Sequence, residues 1–334
     1  MKLLVVGGTV FLGRAVVDAA LAAGHDVTMA NRGTSNPDLY PEVDRLVVDR
    51  DGDLGALESG SWDAVVDTCG YVAARTRSVA EVLKDRVGHY TFISTVSVYA
   101  DMSKPGVDVD APLAATDEPD APAVTNENYG PLKAICEQIV RDVYGERACI
   151  VRPGLIVGPH DPSDRFTYWP RRFDLGGEAI VPNAKDMPVQ LADVRDLAQW
   201  CVRLAEAKTA GTFNGCGPAK PWRFQEMIDA CIRAAGEHAA TPVYVDEAFL
   251  LEREVMGWGH LPVWLPATYE MGGMMACDVS RSVDAGLTFR SLDEVVAATL
   301  EWDRTRRDTP LRGPLNAERE AQVLAEWKSE KNGL

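Results

Sequence analysis

The sequence predicts an α/β protein, with a doubly wound parallel sheet followed by a smaller C-terminal α/β lobe. Three observations carry that prediction. Short apolar runs recur at residues 3–6, 26–30, 45–48, 64–67, 89–94 and 148–152, as expected of strands buried on both faces. Helical periodicity fills intervals between them, at 14–23, 75–86 and 129–144. The first strand runs straight into the turn Gly7-Gly8-Thr9-Val10-Phe11-Leu12-Gly13. With 334 residues the chain has room for two domains, or for one with a substantial second lobe. Residues 1–154, with part of 185–215, are expected to form the first unit, and residues 155–334 mainly the second.

Strand, glycine turn and helix in that order make a Rossmann-like phosphate-binding corner. Glycine lets the backbone approach a pyrophosphate, and the helix N-terminus offers free N–H groups and a positive dipole end. The second strand ends at Asn31-Arg32-Gly33. An acidic residue there would favour NAD by holding the ribose hydroxyls, whereas an arginine accommodates the 2′-phosphate of NADP. The acid is missing, so NADP(H) is favoured over NAD(H), with Arg14 as a second phosphate partner. The third strand ends at Asp49-Arg50, where a carboxylate can accept from the adenine amino group. The fourth ends at Thr68-Cys69-Gly70-Tyr71, on the edge where ligands bind in open α/β sheets. The fifth brings the hydroxyls of Ser94, Thr95 and Ser97 to the same edge.

Residues 101–127 form an acidic, proline-containing stretch without periodicity, as expected of a lid, a binding loop or a solvated excursion. The next helix opens at Asn128-Tyr129-Gly130-Pro131-Leu132-Lys133. Tyr129 and Lys133 are one turn apart on one face. A cation near a phenol lowers its pKa from about 10 and makes the pair a proton-transfer device. The sixth strand ends at Pro153-Gly154. Beyond it the alternation loosens. Residues 155–159 read as a short strand and turn. Residues 164–172 are rich in aromatic and basic groups and are a candidate substrate wall, or a helix packing its aromatic residues inward. Helices are expected over 193–207, with an Asp N-cap, and over 224–235, 278–284 and 292–306. A strand is expected at 211–214, and a charged, loosely packed helix at 318–331.

Composition limits the function classes. The chain is 46% hydrophobic and 25% charged, ordinary for a soluble globular protein. No apolar run approaches the roughly 20 residues that span a bilayer, and Met1-Lys2 leads into no signal-peptide pattern, so a cytoplasmic protein without a membrane partner is expected. The net charge of −16 argues against a nucleic-acid partner, which needs a basic face. The seven cysteines include no C-x-x-C and no zinc spacing, so no metal site is expected and the thiols read as reduced.

Taken together, Gly7-Gly8-Thr9-Val10-Phe11-Leu12-Gly13, Thr95 in its Ser-Thr-x-x-Val-Tyr stretch, Tyr129-x-x-x-Lys133 and Arg152-Pro153-Gly154 resemble the extended and atypical short-chain dehydrogenase/reductases. That superfamily is often labelled NAD-dependent epimerase/dehydratase, and the likeness covers roughly residues 1–215. It implies that Thr95 bonds the substrate oxygen, Tyr129 exchanges its proton, and Lys133 holds the nicotinamide ribose and lowers the Tyr129 pKa. It further implies that Gly7, Gly8, Thr9, Phe11, Leu12 and Gly13 line the pyrophosphate. Asn31 and Arg32 would meet the adenosine end, Asp49 and Arg50 the adenine, Thr68, Cys69 and Gly70 the cofactor's flank, and Pro153 the nicotinamide. Ser97, His160, Arg165, Tyr168 and Trp169 are candidate substrate contacts by position. A homodimer is possible, because many relatives pair through the helix that carries Tyr129.

Three departures narrow the reading. Val10 replaces the middle glycine of the turn. Val96-Ser97 stand where related sugar-nucleotide dehydratases carry Asp-Glu. Leu155 stands where nucleotide-sugar enzymes carry an Asn. The expected function is NADP(H)-dependent hydride transfer to or from a carbonyl or alcohol carbon of a small polar metabolite. The alternatives are a nucleotide-sugar epimerase or dehydratase-type enzyme with retained NAD, and a non-catalytic dinucleotide- or RNA-binding relative, since the turn and Asn31-Arg32-Gly33 are similar to those of chloroplast stem-loop RNA-binding proteins.

Overall fold

The structure is a computed structural model and describes residues 1–331. The first part runs β1 (Lys2–Val6), α1 (Phe11–Ala22), β2 (Asp26–Asn31), β3 (Asp44–Val47), α2 (Gly55–Glu58), β4 (Ala64–Asp67), α3 (Ala73–Leu83), β5 (Tyr90–Ile93), α4 (Tyr129–Tyr144) and β6 (Ala148–Pro153). The second part runs β7 (Leu155–Val157), α5 (Tyr168–Asp174), β8 (Glu178–Pro182), β9 (Pro188–Val189), β10 (Leu191–Asp193), α6 (Val194–Glu206), β11 (Gly211–Gly215), β12 (Trp222–Arg223), α7 (Phe224–Ala235) and β13 (Thr241–Val245). It closes with α8 (Glu247–Glu252), α9 (Ser280–Asp284), α10 (Leu292–Arg304) and α11 (Ala317–Lys331).

Seven strands form one parallel sheet in the order β11-β6-β5-β4-β1-β2-β3. The predicted doubly wound α/β fold is therefore present. Both faces are covered, which is why β1 is apolar throughout. Leu3 and Val5 pack with α1 and α6, while Leu4 and Val6 face the opposite core under α3 and α4. The order reverses between β1 and β4, and the C-terminal ends of the strands open a crevice at that switch point. The 101–127 stretch holds no helix or strand, yet it is not free. Ala114 N donates to Val98 O (2.7 Å), Asp278 N to Val107 O (3.0 Å) and Gly106 N to Ala276 O (2.7 Å), which tie it to both halves of the chain.

The second lobe is built differently. Its strands form three two-stranded pairs, β7 with β10, β8 with β13 and β9 with β12. A core around Phe166, Trp169, Phe173, Phe224 and Trp264 joins them. Two expectations are corrected here. Tyr168 and Trp169 are no substrate wall: both are buried in that core, and the Trp169 indole N–H donates to Pro262 O at 2.6 Å. The packing of α5 inward, driven by its large aromatic surface, wins over solvent display. The terminal helix is not loosely packed either. Val323, Leu324 and Trp327 are buried, with the Trp327 ring 4.7 Å from that of Phe249, and Glu320 accepts from Arg172 at 2.6 Å.

Candidate functional site

A cleft of about 530 Å³ runs along the C-terminal edge of the sheet. Its walls include the glycine turn, Asn31-Arg32, Asp49-Arg50, Thr68-Cys69, Tyr71, Ser94, Tyr129, Lys133, Ile156 and Pro162.

Glycine is required in the turn for steric reasons. At Gly7, with φ +113°, a Cβ would lie 2.5 Å from Thr68 Oγ1, and at Gly13 it would lie 2.7 Å from the Gly8 amide nitrogen. The turn therefore folds flat against the start of α1. That helix begins at Phe11, three residues before the periodicity predicted, because extended Val10 serves as its N-cap. No side chain caps it and its first turn holds no acid, so its first N–H groups are free for an anion. These features fit a dinucleotide pyrophosphate. Val10 is 45% exposed in the cleft wall, where the sequence departs from a glycine.

At the end of β2, Asn31 turns inward. Its amide donates to Gly7 O at 2.7 Å and its oxygen accepts from Gly33 N at 2.9 Å. The residue expected at the adenosine end thus spends its polar atoms bracing the glycine turn. Arg32 lines the cleft, is exposed, and has no ion-pair partner among the described residues. Asp49 is exposed in the same wall. Arg50 is committed elsewhere: its guanidinium meets Asp67 at 2.6 Å. Asp67 is fully buried and also accepts from Tyr90 OH (2.8 Å) and Cys69 N (2.9 Å). Despite the cost of burial, these partners hold its carboxyl below the usual range. Asp67 escaped the sequence reading as a site residue, although an acid closing the apolar run 64–67 was a visible signal.

At the other end, the Lys133 ammonium is buried and donates to Ile93 O at 2.6 Å and Gly70 O at 2.5 Å, above the Phe92 ring. Burial depresses its pKa to about 8. Tyr129 is the first residue of α4, with the Tyr71 ring 6.4 Å away. Burial raises the pKa of its phenol, while the Thr95 hydroxyl and then the Arg165 guanidinium lower it. The lysine is turned to the cleft floor by two carbonyls. Gly130 explains why Thr95 and Tyr129 approach each other: a Cβ there would sit 1.9 Å from Ser97 O, so only glycine lets α4 rest on the 95–97 turn. Thr95 Oγ1 caps that turn by accepting from Ser97 N at 3.1 Å and donates to Ser97 Oγ at 3.2 Å.

Other predicted contacts lie off the cleft. Gly70 and Pro153 are buried behind it, a Cβ on Gly70 falling 2.3 Å from the Phe92 ring. His160 faces Arg14 Nη1 at 3.3 Å and the edge of Trp302. That contact uses one nitrogen of the arginine considered as a second phosphate partner and leaves its Nε without a hydrogen-bond partner. Ser97 opens on a neighbouring cavity of about 410 Å³ shared with Asp101 and Glu270.

Residues 3–215 match the model of the family described as NAD dependent epimerase/dehydratase family. The chain belongs to that family. That places it among the NAD-dependent epimerase/dehydratase enzymes of the short-chain dehydrogenase/reductase type, as the motifs implied. Among solved structures, it resembles a UDP-glucuronic acid 4-epimerase from Bacillus cereus in complex with NAD, at 16% identity and TM-score 0.65, over 92% of this chain and 99% of that one. It also resembles a human epimerase family protein with NADPH, at 20% identity and TM-score 0.62, over 90% and 99%. At such identities the likeness is one of fold. The chloroplast stem-loop binding protein of 41 kDa b from Arabidopsis thaliana is 26% identical over 255 residues, which span 70% of this chain and 63% of that relative. Among the described residues no helix is long and apolar enough to cross a membrane, and no group of three or more His, Cys, Asp or Glu could hold a metal ion.

Proposed function

We propose that the protein is an NADP(H)-dependent oxidoreductase that interconverts a carbonyl and an alcohol on a small polar metabolite. The observation that carries this reading is that Tyr129 and Lys133 share one cleft with the glycine turn. When bound, the nicotinamide supplies or accepts the hydride. The chain supplies position and proton transfer. Thr95 and Tyr129 converge on one oxygen, Thr95 as hydrogen-bond donor and Tyr129 as the acid in reduction and the base in oxidation. Lys133 has three N–H groups, of which two are used by carbonyls; the third is left for a ribose hydroxyl. The unpaired Arg32, beside an Asn31 that offers no carboxylate, favours the 2′-phosphate of NADP. Tyr129→Phe is expected to lower kcat about 10²–10⁴-fold with NADPH affinity kept, as measured by steady-state turnover on a panel of ketones and alcohols. Unchanged turnover would remove Tyr129 from the mechanism.

The likeness of the whole chain, second lobe included, to a UDP-glucuronic acid 4-epimerase supports a second reading, a nucleotide-sugar epimerase with retained NAD. Against it, Leu155 is buried in the second-lobe core and offers no polar arm to a substrate phosphate. NAD that co-purifies with the protein, with turnover in the absence of added cofactor, would decide for it.

A further inference from the structure

Around α5 and the end of α10 the second lobe pairs its arginines with carboxylates. Arg171 forms a two-pronged pair with Asp303, its Nε at 2.7 Å, and Arg172 pairs with Glu320 at 2.6 Å. Arg304 and Arg307 meet Asp174, and Arg306 meets Asp164. Arg165 is the exception within this segment. It is exposed, and no carboxylate lies within ion-pair distance among the described residues. Of its near neighbours in sequence, Asp164 is engaged by Arg306 and the Arg312 amide, while Asp161 accepts from Ser163 N at 2.8 Å through one oxygen and its other oxygen is buried without a hydrogen-bond partner, outside ion-pair distance of Arg165. In a chain with 50 acidic and 34 basic residues, a cation left unneutralised beside a cleft calls for an explanation.

Its support is an aromatic face rather than an acid. The guanidinium lies 5.2 Å from the centre of the Trp258 ring. Trp258 sits at φ +63°, a conformation uncommon for a bulky residue, and its backbone N–H donates to Trp264 O at 3.0 Å. Stacking on an indole restricts a guanidinium without cancelling its charge, and leaves its N–H edge free for a planar anion. The same segment reaches the reaction end of the cleft, because Pro162 lines it together with Tyr129 and Lys133.

We propose that Arg165, held on the Trp258 indole, anchors an anionic group of the substrate, a phosphate or a carboxylate, while the reacting oxygen lies at Tyr129. This rests on the oxidoreductase reading and adds a substrate class to it: hydroxy or keto compounds bearing a negative charge near the reacting carbon. The influence of Arg165 on the Tyr129 phenol agrees with that proximity. It also predicts that the occupying anion screens the arginine and raises the phenol's pKa in the substrate complex.

The test is a titration with two probes, methyl phosphate and malonate, at low ionic strength, followed by calorimetry on wild type, Arg165→Gln, Arg165→Lys and Trp258→Leu. It is run with and without NADPH, so that a failure of cofactor binding, which would sink the oxidoreductase reading, does not hide the behaviour of Arg165. The expected result is saturable binding of at least one probe, weakened about tenfold or more by Arg165→Gln. Arg165→Lys should recover part of it, Trp258→Leu should lose several-fold, and the NADPH Kd should stay unchanged throughout. Preference for methyl phosphate assigns a phosphorylated substrate, and preference for malonate a carboxylated one. Binding of neither probe to wild type, or equal binding to wild type and Arg165→Gln, overturns the proposal.

Discussion

The two halves of this chain are held together by different means. In the first, the scaffold is backbone: its six strands, joined at one edge by β11 from later in the chain, form one parallel sheet with apolar cores on both faces and polar groups gathered at one edge. In the second, strands of two to five residues pair only in twos. Side chains join them instead, an aromatic core and a group of arginines around Asp303, Asp164 and Asp174. A backbone scaffold repeats and tolerates substitution along its faces. A scaffold of buried ion pairs depends on single residues.

That contrast can be broken at Asp303. Its carboxylate is fully buried and meets Arg171, Arg306 and Arg307. Asp303→Ala leaves buried cations unpaired and is expected to cost about 3–5 kcal/mol, read by denaturant unfolding. If the halves differ as described, hydrogen exchange should quicken in α5 and α10 while β1 to β6 keep their protection. Uniform loss across the chain would erase the distinction.

In the first half, the sensitive buried polar group is His89. It is fully buried, its Nε2 at 3.1 Å from Thr91 Oγ1, and burial, aided by Lys208, lowers its pKa from 6.5 to about 4. The folded chain holds the ring neutral, so the unfolded chain takes up the proton first. Stability contributed by this group is complete above pH 6.5 and declines as the pH falls towards 4, by up to about 3 kcal/mol. His89→Gln should flatten that part of the stability profile, and an unchanged acid limb would contradict the assignment.

How much was legible follows the same division. The strands of the sheet were visible because burial on both faces writes a continuous apolar run. The glycine turn was visible because φ near +100° and a 2.5 Å approach to Thr68 admit little else. Tyr129 and Lys133 were found by helical spacing, which cannot show direction: Lys133 points to Gly70 O and Ile93 O, and the approach of Arg165, 36 residues away in the chain from Tyr129, leaves no mark in the spacing. Arg50 was read as a free contact because nothing in sequence reveals its pairing with Asp67. Tyr168 and Trp169 read equally well as a wall or as core, and only the packing of α5 decides. The weak periodicity of α11 hid four buried residues that dock it.

A smaller effect sharpens the comparison at the cleft itself. Gly130→Ala places a methyl group against Ser97 O, where the sheet edge and α4 touch. It should shift Tyr129 away from Thr95 and lower kcat about 10²-fold, with NADPH affinity nearly constant. A loss in affinity of the same size would show that the turn serves cofactor binding instead.

The central claim is that the cleft takes NADP(H) by way of Arg32. The most direct measurement is a fluorescence titration of cofactor-free protein with NADPH and NADH, on wild type and Arg32→Ser. The account predicts tighter binding of NADPH to wild type, and a loss of about tenfold or more in the variant with NADH unaffected. Equal affinities for the two cofactors in wild type, or no binding of either past the Val10 side chain, would contradict it.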